Sequence, residues 1–511
     1  MKPSRILVFI LSTFIVLAAV CVLFAGKSSV VRVPSLASVI GWPSEKSDYI
    51  GNVDYAESIE ITESLTDTLA VIDTVPVHPV PVDTVPAKPK VVVLPQSLPQ
   101  TALNLPAFYA ALDRADERSV RVVHFGDSQI EEDRISMVLR RRLQDRFGGG
   151  GIGLVPMVQT IPTYTAKQSL EQDGHEVPYT TVRRYLAYGP SSMRLKDDNR
   201  YGPMAQVACV GQPLDVTIEM LRERVPTYAY DHIRVLCSDS VVVTLVPDSL
   251  EQQRFINDAP LDYADAPAET MRQEILVLSE PQRNSVLHFD GTGRVYGISL
   301  ETATGVQVDN IPMRGAAGTS FTSMARKQFE AYFHHTNTAL VIMQFGGNAM
   351  PAIRTQAAVD KYVQSLRMQI RFIMSAAPDA SLLFIGPSDM ITVVDGEQMT
   401  YPLLPKLDSL LAEMVVEEGG AYYSLFRLMG GAGSMVNWRD KGLAGEDMIH
   451  FTRAGAKKVG EMLAKQLLGD YDSLTELQKS AGLPTDTTTA QLPDAQVEDT
   501  KMENAQMEIT K

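Results

Sequence analysis

The chain has 511 residues, about three times the usual length of one domain, so two or three folded units are expected. At 45% hydrophobic, 21% charged and 7% aromatic residues the composition is globular, which excludes a wholly disordered, collagen-like or multi-span membrane chain. Lys and Arg number 46 against 61 Asp and Glu, and a net charge of −15 lacks the cationic surface of a phosphate-backbone binder, so no nucleic-acid partner is expected.

Lys2 and Arg5 precede an uncharged run from Ile6 to Ala25, whose 20 residues at about 1.5 Å rise cover the roughly 30 Å hydrocarbon core of a bilayer. A cleaved signal has a shorter apolar region of about 7–15 residues. Val20 is a poor fit to the small residue that would precede a lipidated Cys21. Residues 1–27 therefore read as an uncleaved transmembrane helix in the inner membrane, with the remainder of the chain periplasmic or otherwise extracytoplasmic. Residues 28–104 read as a disordered linker: Asp73-Thr74-Val75-Pro76 recurs as Asp83-Thr84-Val85-Pro86, and eight prolines fall between Pro76 and Pro106. The linker carries nine acidic and four basic side chains, and residues 485–511 carry six and two. Much of the negative charge thus solvates the arms rather than forming an acidic binding face.

From Leu105 onward β-branched runs alternate with helical stretches, which predicts α/β architecture with a parallel sheet. Strands are expected at Arg121–Phe125, Ala339–Phe345, Ser381–Ile385 and Ala421–Leu425. Helices are expected at Ile130–Phe147, Ser320–Phe333, Thr355–Ala376, Leu403–Glu418 and Ala454–Leu468. Between about Tyr164 and Leu300 the rhythm changes to β runs, among them Leu214–Met220, His232–Cys237, Val241–Val246, Ile275–Leu278 and Ser285–Phe289. This predicts an inserted β-sandwich at 164–300, splitting the α/β domain into 105–163 and 301–475, with a disordered tail at 476–511. Val295–Leu300 could belong to either unit. Three cysteines with no C-x-x-C spacing build neither a disulfide scaffold nor a Cys-rich zinc site; whether Cys209 and Cys237 pair is open.

Ser128 directly follows a buried strand and precedes a helix, which places its hydroxyl at the carboxyl end of the sheet and its N–H near a helix N-terminus. Taken alone, the same position suits a helix cap. Gly346-Gly347-Asn348 ends another predicted strand, where an amide can reach the same crevice. Asp447 and His450, three residues apart, suit a carboxylate that fixes an imidazole tautomer.

Gly126-Asp127-Ser128, the turn Arg314-Gly315-Ala316-Ala317-Gly318-Thr319, Gly346-x-Asn348 and Asp447-x-x-His450 resemble, in order, the four sequence blocks of the SGNH (GDSL-type) hydrolases. The resemblance covers about residues 118–160 and 305–470. It implies a flavodoxin-like three-layer α/β/α fold and a serine hydrolase of carboxylic esters, with no cofactor. Carried over by position, it makes Ser128 the nucleophile, His450 its base and Asp447 the residue orienting His450. The oxyanion hole would comprise the Ser128 N–H, the Gly318 N–H and the Asn348 amide, with Gly315 the alternative to Gly318. Ala349 departs from the Asp that many members place after the Asn. The long gap between Ser128 and Gly318 is accounted for by the insertion.

His124 reads as a packed neighbour of the nucleophile strand. His175, His232, His288 and His334-His335 show no metal-ligand spacing, so no metal site is expected. Gly148–Gly151 resembles no phosphate loop and reads as a flexible loop. Trp438 could stack on a sugar as a substrate-binding residue or be a packed aromatic. Some cell-wall polysaccharide O-acetylesterases of this superfamily carry a carbohydrate-binding β-sandwich, so the expected partner is an acylated polysaccharide, peptidoglycan first. An O-acetyltransferase with the same triad and a non-catalytic glycan-binding protein of the cell envelope are the alternatives.

Overall fold

A computed structural model of the protein describes residues 104–221, 228–257 and 271–480. The expected N-terminal helix, the linker up to residue 103 and the tail beyond 480 lie outside the described residues. Helix α1 (Pro106–Leu112), strand β1 (Ser119–Gly126) and helix α2 (Ser136–Phe147) come first. Next are β2 (Gly153–Val155), β3 (Ala166–Gln172), β4 (His175–Val177), β5 (Arg183–Leu186), β6 (Gln206–Val210), β7 (Leu214–Met220), β8 (Tyr230–Ser238), β9 (Val241–Val246), β10 (Glu251–Asn257), β11 (Met271–Gln282), β12 (Asn284–Gly291) and β13 (Gly293–Glu301). They are followed by β14 (Gly305–Pro312), α3 (Arg326–His335), β15 (Thr338–Gln344), α4 (Gln356–Ala376), β16 (Ser381–Ile385), β17 (Ile391–Val394) and β18 (Glu397–Thr400). Then come α5 (Leu404–Glu417), β19 (Ala421–Tyr423), α6 (Leu425–Met429), α7 (Ser434–Asp440) and α8 (Arg453–Ser480).

Strands β14, β1, β15, β16 and β19 form, in that spatial order, a parallel sheet. Counted along the chain the order is 2-1-3-4-5, so the strand order reverses beside β1 and a crevice opens between the carboxyl ends of β1 and β15. The pleat sends alternate residues to opposite faces. Val120, Val122, Leu340 and Ile342 join the core shared with α1, α2 and α8, whereas Val123, Phe125, Val341 and Met343 join the one shared with α3, α4 and α5. β14 has no counterpart among the expected strands. Its Gln307 and Asp309 are fully buried, so its polar alternation is not that of a strand with one wet face. Asp309 is held by the Arg121 guanidinium at 2.7 Å and the Tyr332 hydroxyl at 2.6 Å.

Strands β10-β11-β8-β13-β6-β5 form one antiparallel sheet, with β2 also paired to β13, and β4-β3-β7-β12-β9 form another. Residues of both, such as Val235, Ile298, Val216 and Phe289, share a hydrophobic cluster, the arrangement of a β-sandwich. β13 assigns Val295–Leu300 to the insertion. Cys209 and Cys237 form no disulfide. They flank β13 on its two sides, opposite Arg294 and Val295, and two strand spacings of about 4.8 Å exceed the reach of a disulfide.

The insertion is welded to the parallel sheet. Tyr201, Met204, Leu236, Met271 and Tyr296 lie in the same core cluster as Val123, Phe125 and Phe329. Arg121 on β1 reaches Asp309 and Glu301, and Glu301 in turn accepts from Arg234 of β8 at 3.1 Å. Burial pushes the Glu301 carboxyl up, but Arg234 and Arg121 outweigh it and hold the group at about 2. Gly148–Gly151 is no flexible loop. A Cβ on Gly149 would sit 2.5 Å from the Val306 carbonyl oxygen, and one on Gly151 would sit 1.9 Å from that of Leu300, so the chain passes there at a distance only glycine permits.

Two further expectations are corrected. The last helix runs to Ser480, past the expected start of the tail, because Tyr471 packs edge-on to Tyr109 and Phe147 and Asp472 pairs with Arg146. The membrane-anchored location is not supported, since among the described residues no helix is long and apolar enough to cross a membrane. Helices α4 and α8 have 21 and 28 residues, but Asp360, Lys361 and Arg371 on the first and Lys457, Lys458 and Lys465 on the second make each amphipathic.

Candidate active site

β1 ends at Gly126, and the chain turns sharply through Asp127 into a short 3-10 turn beginning at Ser128. The Asp127 carboxylate accepts from the Gln129 N–H at 2.9 Å, fixing that turn. Ser128 therefore emerges at the carboxyl end of β1, where the strand order reverses. On the opposite wall, the turn Gly347–Ala352 after β15 carries Asn348 into the same cleft. Gly386, Pro387 and Met390, after β16, close a third side.

The loop before α8 supplies the remaining groups. Ser128 Oγ lies 3.0 Å from His450 Nε2, and His450 Nδ1 lies 2.7 Å from Asp447 Oδ2. Asp447 Oδ1 also accepts the N–H groups of Ile449 at 3.0 Å and His450 at 3.1 Å. Burial pushes the Asp447 carboxyl up, but the His450 hydrogen bond and these N–H groups prevail and hold it below its ordinary value. An ionised Asp447 keeps the imidazole proton on Nδ1 and leaves Nε2 as the acceptor facing the serine hydroxyl. A hydroxyl that can pass its proton to an imidazole so held is an activated nucleophile.

The Asn348 amide donates to the Ala316 carbonyl at 3.1 Å, which orients it and leaves a second N–H for the cleft. That contact ties Asn348 to the Arg314–Thr319 turn, which Tyr362 also holds through the Ala317 carbonyl at 2.7 Å. Both glycines of the turn have positive φ, +78° at Gly315 and +79° at Gly318. A Cβ on Gly318 would meet the Phe345 ring at 2.7 Å, whereas one on Gly315 would meet nothing within 4 Å. Phe345 lines the cleft, so Gly318 is the glycine backed against it.

Trp438 is not available to a sugar. It is only 5% exposed, its ring lies 5.4 Å from Phe451, and its indole N–H donates to the Met429 carbonyl at 3.2 Å. Helix α7 turns it inward, and the packed alternative holds. His124 is fully buried, with Nε2 3.1 Å from Gln344 Oε1 and Nδ1 2.9 Å from Ser136 Oγ; burial lowers its pKa to about 4, so it is neutral. Among the described residues no group of three His, Cys, Asp or Glu side chains could hold a metal ion. Gln129, Gln344 and Met390 line the cleft without having been singled out in the sequence. Gln344, directly before the Phe345-Gly346 strand end, carried the one local signal.

Neither a protein-family model nor a curated protein sequence matches the chain. Among solved structures it is similar to a peptidoglycan O-acetylesterase, with a TM-score of 0.54 and 20% identity over 74% of this chain and 97% of that one. The chain shares the fold of that esterase. An acetylxylan esterase from Geobacillus stearothermophilus matches with a TM-score of 0.23 and 13% identity, over 33% of this chain and 73% of its own. The periplasmic domain of a lipopolysaccharide acetyltransferase from Salmonella ser. Paratyphi A matches with a TM-score of 0.23 and 13% identity, over 33% and 74%. At 20% identity the likeness to the peptidoglycan O-acetylesterase is one of fold, and the chemistry of this chain rests on its own residues.

Proposed function

We propose that the protein is a serine esterase that removes O-acetyl groups from a cell-wall polysaccharide, with peptidoglycan as the substrate. The observation that carries the reading is the unbroken relay from Ser128 through His450 to Asp447, opposite the Asn348 amide in one cleft. Ser128 Oγ attacks the acetyl carbonyl while His450 Nε2 takes its proton, and the oxyanion is received by the N–H groups of Ser128 and Gly318 and by the Asn348 amide. His450 returns the proton to the departing sugar hydroxyl, leaving an acetyl-serine. Water, deprotonated by the same nitrogen, then releases acetate. The His450 side chain is 26% exposed, so water has access for this second half.

The polysaccharide reading draws on the fold shared with a peptidoglycan O-acetylesterase. Its 74% coverage exceeds what residues 105–163 and 301–480 contain together, so the likeness extends into the insertion. The test is acetate release from native O-acetylated peptidoglycan, compared with acetylated xylan and an aryl acetate. Ser128→Ala or His450→Ala should lower turnover by up to roughly 10⁶-fold, and Asn348→Ala by about 10²–10³-fold through one oxyanion donor. Full turnover in a folded Ser128→Ala protein would remove Ser128 from the mechanism, whereas no acetate release by the parent from any of the three substrates would leave a glycan-binding protein.

A further inference from the structure

Ser128 and His450 stand 322 positions apart in the chain, so no covalent neighbour fixes the 3.0 Å between them. We infer that Gln129 and Arg134 are positioning residues that hold the His450 loop against the nucleophile turn; the inference rests on the esterase reading above. Gln129 Nε2 donates to the Ile449 carbonyl at 2.8 Å, and Gln129 Oε1 accepts the Phe451 N–H at 3.4 Å. Arg134 Nη1 donates to the Phe451 carbonyl at 3.2 Å. The two side chains thus grip the residues on both sides of His450. The rest of the guanidinium grips the nucleophile side: Nε donates to the Gln129 carbonyl at 3.0 Å and Nη2 to the carbonyl of Ser128 itself at 2.5 Å.

Arg134 is only 3% exposed, and each of these bonds ends on a main-chain carbonyl rather than a carboxylate. Burying a charge in that way is unfavourable, and an apolar residue would fill the space at lower cost. What the planar fork adds is several fixed directions from one rigid group. The backbone that aims it is strained. Glu132 and Asp133 are consecutive non-glycine residues with positive φ, 63° and 61°. Asp133 is locked there by Arg140, at 2.6 and 3.2 Å, and by the Thr165 hydroxyl at 2.8 Å. This strained bend folds the chain back so that residue 134 meets the carbonyl of residue 128.

Gln129 spends its amide on the His450 loop and Arg134 is absent from the cleft lining, so loosening either one changes the Ser128–His450 geometry more than substrate binding. Misplacement by about 1 Å costs on the order of 10²-fold in rate. In the full chain, Gln129→Leu should lower kcat on an aryl acetate about 10–100-fold with KM within about twofold, and fluorophosphonate labelling of Ser128 should slow by the same factor. Arg134→Lys keeps the charge but not the fork, and its loss should exceed that of Gln129→Leu, because it releases Ser128 as well as Phe451. Parental kcat in Gln129→Leu, or a loss carried by KM, overturns the inference. Ser128→Ala measured alongside separates the two failures: turnover surviving there removes Ser128 as the nucleophile and the triad reading with it, whereas its loss beside a parental Gln129→Leu removes only the positioning role.

Discussion

Replacing Asp127 by Asn should raise folding stability relative to the parent by about 3 kcal/mol as pH goes from about 4 to about 7. Asp127 is 5% exposed, and burial pushes its carboxyl from 3.8 up to about 6, against the opposing pull of the Gln129 N–H, His450 and Arg134. A raised carboxyl is protonated in the native state while the unfolded chain has already lost the proton. Its contribution is therefore fully present below about 4 and lost as pH rises to about 6, at about 1.4 kcal/mol per unit. His124 works in the opposite sense. Burial lowers it from 6.5 to about 4 against the Gln344 hydrogen bond, so the unfolded chain takes up its proton first and stability falls as pH drops through that window. Over about two units the two slopes nearly cancel in the parent, and each single variant unmasks the other. The assay is urea unfolding of parent, Asp127→Asn and His124→Gln at about pH 4, 5, 6 and 7, followed by the fluorescence of buried Trp438. The difference between variant and parent at each pH isolates the replaced group from every other carboxylate. A difference that stays flat with pH for Asp127→Asn would refute a native-state proton on this carboxyl and with it the sign argued here.

Gly318→Ala should cost more esterase turnover than Gly315→Ala, since both positions have positive φ but only at Gly318 does the new methyl meet the Phe345 ring; kcat on an aryl acetate decides it. Arg121→Met leaves Asp309 and Glu301 buried without their shared cation, and should destabilise the protein by about 3–5 kcal/mol in denaturant titration. Replacing residues 164–300 by a short loop would be expected to spare a small aryl ester if the insertion only positioned polymer. The shared core instead predicts loss of soluble, cooperatively folding protein, seen as loss of the thermal transition, because Tyr201, Met204, Leu236, Met271 and Tyr296 would leave a cavity over Phe125 and Phe329.

The parallel sheet was legible because β1, β15 and β16 are buried on both faces and read as largely apolar runs, interrupted inside β1 by Arg121 and His124. β14 escaped for the converse reason. Its Gln307, Asp309 and Asn310 look like surface positions until the partners from β1 and α3 are known, and a buried carboxylate has no local signature that distinguishes it from an exposed one. The same limit explains Trp438: an indole before the Asp447–His450 loop is consistent with a sugar platform or with a core, and only the contact with Phe451 decides.

Ser128, Asn348, Asp447 and His450 were legible as short blocks because each block must bring a particular functional group to a strand end or a turn, and glycines and small residues around it leave a pattern. Gln129 and Arg134 leave none. Their partners are main-chain carbonyls and an N–H of residues 449 and 451, atoms that nearly every residue type offers, so nothing in the partner's identity records the contact. The bend that directs Arg134 is equally silent, since Glu132 and Asp133 hold positive φ without glycine, Asp133 through Arg140 and Thr165 and Glu132 through its carbonyl on the Tyr164 N–H. The proposed nucleophile can therefore be located from short sequence blocks, while the contacts that bridge its turn to the His450 loop emerge only when both ends of the chain are seen together.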